Sequence, residues 1–251
     1  MKISPYSQGN SNFDITAKIR ADNIFKNYDF YKEVFCNNEI IFSNFKKMVK
    51  KYRNKKILII GGGPSTRDIL SSNYENIFSN YDYLWSSNSF FLNPKLKDIK
   101  IDLAMMMLEP NLKSKEFIEY CEKFNPTIGF ELHNKWKTEK INYHDLFMMQ
   151  TRFYGIIGVC QRMVIFACFL GAKEIGFVGL DGLKSMKKGD HSFEENKKTV
   201  PSISNEETFQ YQCDEFWNYV NSTYKKPVII NYGQDNSYHR KLKERVNYEK
   251  N

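Results

Sequence analysis

The 251-residue chain has no apolar run approaching the roughly 18 residues that a membrane-spanning helix needs. Its first residues, MKISPYSQGNSNFD, contain no apolar segment of the kind that directs secretion, so the expectation is a cytoplasmic protein. Cysteine is sparse and unpatterned: Cys36, Cys121, Cys160, Cys168 and Cys213 include no Cys-x-x-Cys pair. An odd, scattered set argues against a disulfide framework and against a cysteine zinc site, and points to a reducing compartment. There is no internal repeat and no low-complexity linker. Two familiar phosphate motifs are also missing. A dinucleotide fingerprint would need glycine at position 66, where Thr66 stands, and no acid lies near Asn88 to hold a ribose. A P-loop would need a Gly-Lys that this chain does not have after its glycines. No Asp-x-Asp pair is available to hold the metal of a UDP-sugar.

What is present fits a folded protein, with 41% hydrophobic and 16% aromatic residues. The formal charge of +8 favours anionic partners. Part of that charge sits in FKKMVKKYRNKK (45–56), where Lys46, Lys47, Lys50, Lys51, Arg53, Lys55 and Lys56 follow one another without an acid. The plain reading is a solvated helix face leading into a strand; the sharper one is a patch resting on anionic lipid headgroups at the inner membrane. No recognised motif accompanies the charge, so nucleic acid is not an expected partner.

Residues 1–54 read as a tail followed by helices, 55–236 as one α/β domain, and 237–251 as a solvated basic helix or tail. Within the middle segment apolar strand runs at 56–61, 81–88, 101–108, 127–132, 174–181 and 227–233 alternate with helical patterns at 114–124, 156–171 and 205–224. The expected fold is α/β, a single doubly wound, mostly parallel, Rossmann-like sheet with an N-terminal helical extension. Ligands in such sheets lie beyond the carboxyl ends of the strands. The methionines at 105–107 and 148–149 read as core filler.

The first strand, KILII, runs into Gly61-Gly62-Gly63-Pro64-Ser65 and then a helix that Ser65 or Thr66 can cap. Glycines permit close backbone approach, and a helix amino end offers oriented N–H groups to an anion. Taken alone the turn says phosphate or nucleotide.

IIGGGPS, then WSSNSFF, then LGAKEIGFVGLD together resemble, in that order, the bacterial sialyltransferases of glycosyltransferase family 42. They resemble also the motility accessory factors and the archaeal 6-hydroxymethylpterin diphosphokinase group. The resemblance spans roughly residues 56 to 232 as an ordered set of strand ends. It implies a nucleotide-sugar donor and a glycan acceptor, with Gly61, Gly62, Gly63, Pro64, Ser65, Asn88 and Ser89 on the nucleotide. Gly62 replaces an asparagine of the sialyltransferases. Glu109-Pro110 replaces an Asn-Pro that faces the donor sugar, which sits badly with a sialic acid carboxylate. His191 falls where the family places its general base, a task that suits a group with pKa near neutrality. Lys184 stands where tyrosines stabilise the departing phosphate, with Lys187 and Lys188 close by in sequence; Arg152 matches an arginine that meets a phosphate or acidic substrate. Asp181 ends a strand at the ligand edge and is expected to organise a loop. His133 and His144 fall in a polar connection and have no metal-ligand spacing.

The resulting expectation is a metal-independent glycosyltransferase building a bacterial surface glycan from a CMP-linked acidic sugar, with no metal or other cofactor. A homo-oligomer and peripheral contact with the anionic inner membrane complete the expected partners. The rivals are an ATP-dependent diphosphokinase of the pterin type and a nucleotide-binding accessory protein without chemistry.

Overall fold

The apolar run that opens the domain becomes β1 (Lys56–Ile60), buried after its first residue. The structure, a computed structural model, describes residues 47–72, 74–106, 109–131, 146–149, 158–182, 191–194, 206–224, 226–234 and 236–242. From β1 the chain runs through α1 (Pro64–Ser72), α2 (Tyr74–Phe78), β2 (Tyr83–Ser87), 3-10 turns at Phe90–Leu92 and Leu96–Asp98, and β3 (Leu103–Met105). Next come α3 (Glu109–Leu112), α4 (Lys115–Phe124), β4 (Thr127–Glu131) and β5 (Leu146–Met149). The last elements are α5 (Val159–Phe169), β6 (Glu174–Val178), α6 (Glu206–Thr223), β7 (Val228–Asn231) and a 3-10 turn at Ser237–His239.

The seven strands form one sheet in the order β5-β4-β3-β2-β1-β6-β7, and every neighbouring pair is parallel. This is the doubly wound α/β architecture expected from the alternation of strand and helix patterns. Successive residues of the central strands point to opposite faces, and both faces are covered, which is why these strands read as unbroken apolar runs. Ile57, Ile59, Trp85, Leu103, Ile175 and Phe177 pack with α5, α6 and the helical residues 47–52. Leu58, Ile60, Ala104, Ile128 and Val178 pack with α1, α2, α4 and the two 3-10 turns between β2 and β3.

Local signals set the helix ends. Ser114 caps α4 by accepting from the Phe117 amide, and Asn125 closes it in the left-handed conformation, φ 46°. α5 stops before Gly171, whose φ of +82° no β-branched or bulky residue adopts easily. Among the described residues no helix is long and apolar enough to cross a membrane.

Short stretches at both ends of the domain contribute to its core. Met48 and Tyr52 are buried in the main core, Tyr52 meeting Trp85 edge-on at 5.0 Å, while Lys47 and Lys50 stay exposed. Tyr238, His239 and Leu242 are buried, and Trp217 Nε1 donates to the Tyr238 carbonyl at 3.0 Å. The basic residues around them hid three core positions.

Asp102, at the start of β3, accepts from the Leu84 amide at 3.0 Å. Burial pushes its carboxyl above the usual value of 3.8, a rise that the Leu84 bond and the charges of Lys51 and Lys100 only partly oppose. A raised folded-state pKa means stability that is fully present below the unfolded value and lost as pH rises through the folded one. Asp102→Asn keeps an oxygen for Leu84 and removes the charge. It is expected to melt higher than the parent at pH 7, and the gap should close near pH 3 in thermal unfolding followed by circular dichroism.

Candidate functional site

In this sheet the strand order turns back between β1 and β6, so the loops leaving their carboxyl ends diverge and leave a crevice. A cavity of about 220 Å³ occupies that place. Its walls are Gly62 and Gly63 after β1, Ser87 and Asn88 at the end of β2, and Gly179 to Gly182 after β6. The first turn of α5 (with its N-cap, Gly158) and the ring of His191 close it. The structure thus brings together Gly62, Gly63, Asn88, Asp181 and His191 from separate stretches of sequence.

Two N–H groups of the glycine turn bond the neighbouring strand end. Gly61 N–H donates to Val178 O at 2.8 Å and Gly63 N–H to Gly179 O at 3.0 Å, so the turn is sewn to the end of β6. A Cβ on Gly61 would stand 2.6 Å from Gly179 O. The glycines let two main chains touch. The amino end of α1 is capped from the same side: the Ser65 amide donates to Asp181 Oδ2 at 2.8 Å, and the Asp181 carboxylate lies against Gly63. Pro64 takes the first helical position, where its missing N–H is no loss. Neither Ser65 nor Thr66 is the cap that local spacing suggests. Ser65 Oγ instead accepts from the Gly179 amide at 3.0 Å, and Thr66 Oγ1 donates to Gly61 O at 2.8 Å.

Residues 191–194 dock across this turn. Ser192 N–H donates to Gly62 O at 2.8 Å and Ser192 Oγ to Gly63 O at 2.5 Å, while the Arg67 amide donates to Ser192 Oγ at 3.2 Å. Asn93 Nδ2 adds a bond to the Ser192 carbonyl at 2.6 Å. Ser192 therefore fixes His191 over Gly62, where a Cβ would stand 2.7 Å from His191 Nε2. On its other side the imidazole accepts at Nδ1 from the amides of Phe193 at 3.2 Å and Glu194 at 3.3 Å. A nitrogen that accepts cannot carry the proton, so in the neutral ring Nε2 carries it. In this conformation the neutral His191 ring carries its proton on Nε2, the nitrogen that lies over Gly62.

Asn88 follows β2 in the left-handed region, φ 52°, which asparagine tolerates better than most residues. Ser89 is buried and accepts from Asn111 Nδ2 at 3.0 Å. Glu109 is the first residue of α3. Arg152, Lys184, Lys187, Lys188, His133 and His144 lie outside the described residues. Among the described residues no cluster of three or more His, Cys, Asp or Glu is placed to hold a metal ion.

Ser192, Gly158, Cys160 and Gln161 were not found from sequence. Cys160 Sγ lies 3.4 Å from Ser87 Oγ, and burial pushes its thiol up to about 11, so it lines the cavity as a neutral group. Gln161 sits in an apolar stretch whose neighbours Met163 to Cys168 are all buried, and only its position in the first turn of α5 sets it apart.

No protein-family model matches the chain, and no curated protein matches it. Among solved structures it is similar to the MAf glycosyltransferase from Magnetospirillum magneticum AMB-1, at 12% identity and a TM-score of 0.43. The match covers 83% of this chain and 41% of that one, so the chain spans less than half the length of that protein.

Proposed function

We propose that this chain is a glycosyltransferase that takes a nucleotide-activated sugar, with CMP-linked acidic sugars as the preferred donor class. The observation that carries the reading is the cavity at the β1–β6 divergence. It gathers Gly62, Asn88, Asp181 and His191, positions at which the ordered motifs resemble family 42. In direct displacement the acceptor hydroxyl oxygen bonds to the anomeric carbon as the bond from that carbon to the nucleotide phosphate breaks. Negative charge grows on the departing phosphate oxygen, and a donor aimed there lowers the barrier. His191 Nε2–H is the donor we assign to it. The released phosphate monoester, with a second pKa of about 6, can take up the acceptor's proton. Asp181 holds the amino end of α1 in place and leaves the chemistry to others. We place the acceptor among bacterial surface glycans, reached from the inner membrane face, with Lys47 and Lys50 among the exposed basic groups turned to that surface.

A thermal-shift panel of CMP, CDP, UDP, GDP, ATP and NAD, each with and without Mg²⁺, tests the proposal. A ligand at a hundred times its dissociation constant adds about 2.7 kcal/mol of stability. The expected result is a shift with CMP that Mg²⁺ leaves unchanged. A shift confined to ATP with Mg²⁺ would move the chain to the diphosphokinase class, and no shift at all would leave it an accessory protein.

A further inference from the structure

Among the described helices, α1 and α5 both begin beside this cavity, and the amino end of α1 is already filled. The first turn of α1 is occupied from within by the Asp181 carboxylate on the Ser65 amide and by Ser192 Oγ on the Arg67 amide. α5 differs. Its N-cap is Gly158, which has no side chain to cap it, and residues 158–161 line the cavity. An 11-residue helix directs both its first N–H groups and its positive dipole end at what lies there.

A second observation points to the same spot. Gln161 is 9% exposed, lines the cavity, and makes no hydrogen bond among the described residues. In this largely apolar helix a methionine or leucine would pack as well, and the carboxamide instead sets a polar group on the cavity wall. As the third residue of α5 it could close a capping box by accepting from the Gly158 amide. That bond is not made, although Gln161 Oε1 lies so near Gly158 that a Cβ there would stand 2.9 Å from it. Glycine at 158 keeps the space in front of the carboxamide clear.

We infer that the anionic group of the ligand is bound at the amino end of α5, by the main-chain N–H groups of its first turn and the side-chain amide of Gln161. The glycine turn is thereby relieved of that task and serves as the seam joining β1 to β6. The class of group that fits is a phosphate mono- or diester: several oxygens to accept from the helix end, and a neighbouring hydroxyl to meet the amide oxygen. The inference rests on the nucleotide reading above only for what carries the phosphate.

The test uses the full chain and two probes. In ¹⁵N–¹H spectra the side-chain NH₂ pair of Gln161 is identified by its loss in Gln161→Met. Titration with inorganic phosphate, against potassium chloride at equal ionic strength, should move that pair saturably, and CMP should move it at lower concentration. Gln161→Glu can close the capping box that glutamine leaves open and favours the helix dipole, so its melting temperature should match or exceed the parent's. Its affinity for CMP should nevertheless fall at least tenfold, while affinity for cytidine, which lacks the phosphate, stays within twofold. A Gln161 signal that ignores phosphate overturns the inference, as does a Gln161→Glu variant that keeps the preference for CMP over cytidine. A phosphate response without nucleotide binding keeps the anion subsite and sinks the nucleotide reading. Nucleotide binding with a silent Gln161 does the reverse.

Discussion

Gly179→Ala is expected to destabilise the protein by about 2–5 kcal/mol, a large part of the roughly 5–15 kcal/mol that holds a domain folded. Two costs add. Gly179 has φ +75°, a region that an L side chain enters at about 1–2 kcal/mol. Its Cβ would also stand 2.6 Å from the Gly61 carbonyl carbon, with Gly61 O and Thr66 Oγ1 closer still. Main chain cannot step aside as a flexible side chain can, so β1 and β6 must part at their carboxyl ends. The bond from Gly63 N–H to Gly179 O would be strained with them. Gly171→Ala is the control: its φ of +82° carries the first cost, but the nearest atom to its Cβ would be Arg53 Cγ at 3.4 Å. Guanidinium unfolding of the two variants should separate them by at least the second cost, about 1–3 kcal/mol. Equal losses would mean that the seam opens freely.

His191 should have the largest effect on the proposed transfer. His191→Ala is expected to slow it by about 10²–10³-fold, the usual worth of one preorganised donor at a developing oxyanion. The same variant removes the acceptor for the Phe193 and Glu194 amides and so costs about 1 kcal/mol of stability as well. His191→Asn separates these roles. Its side-chain oxygen can stand in for Nδ1 and keep the turn, so stability should recover while the rate stays low. A donor sugar on a weakly basic leaving group should shrink the rate loss in both variants, because such a group needs little help to depart. If a more acidic acceptor shrinks the loss instead, the ring acts as a base and must first give up its Nδ1 bonds.

The strands were legible because a parallel sheet covered on both faces writes itself as short apolar runs, as in KILII and EIGFV. The edge strand LFMM was not: it is four residues long and follows a polar connection. The glycine turn was legible as a place, and its partners were not. The group that caps α1 is a carboxylate 116 residues further along the chain, and no local spacing announces it. Ser192 was hidden for the same reason, its hydroxyl reaching Gly63 across 129 residues. His191 could be named from sequence, whereas its polarity depended on two main-chain amides that only the fold places. Gln161 failed differently, since one polar residue in an apolar helix is ordinarily passed over.

The seam between β1 and β6 also dictates when this molecule can become whole. On a ribosome adding about 5–20 residues per second, Asp181 emerges roughly 6–23 s after Ser65. Until then β1 can pair with β2 along one edge only, its other edge stays bare, and the amino end of α1 waits uncapped. The crevice does not exist in the nascent chain at all. It is made by the same long-range closure that completes the sheet, so a slow-translating stretch or a premature stop before β6 leaves a sticky half-sheet with no crevice.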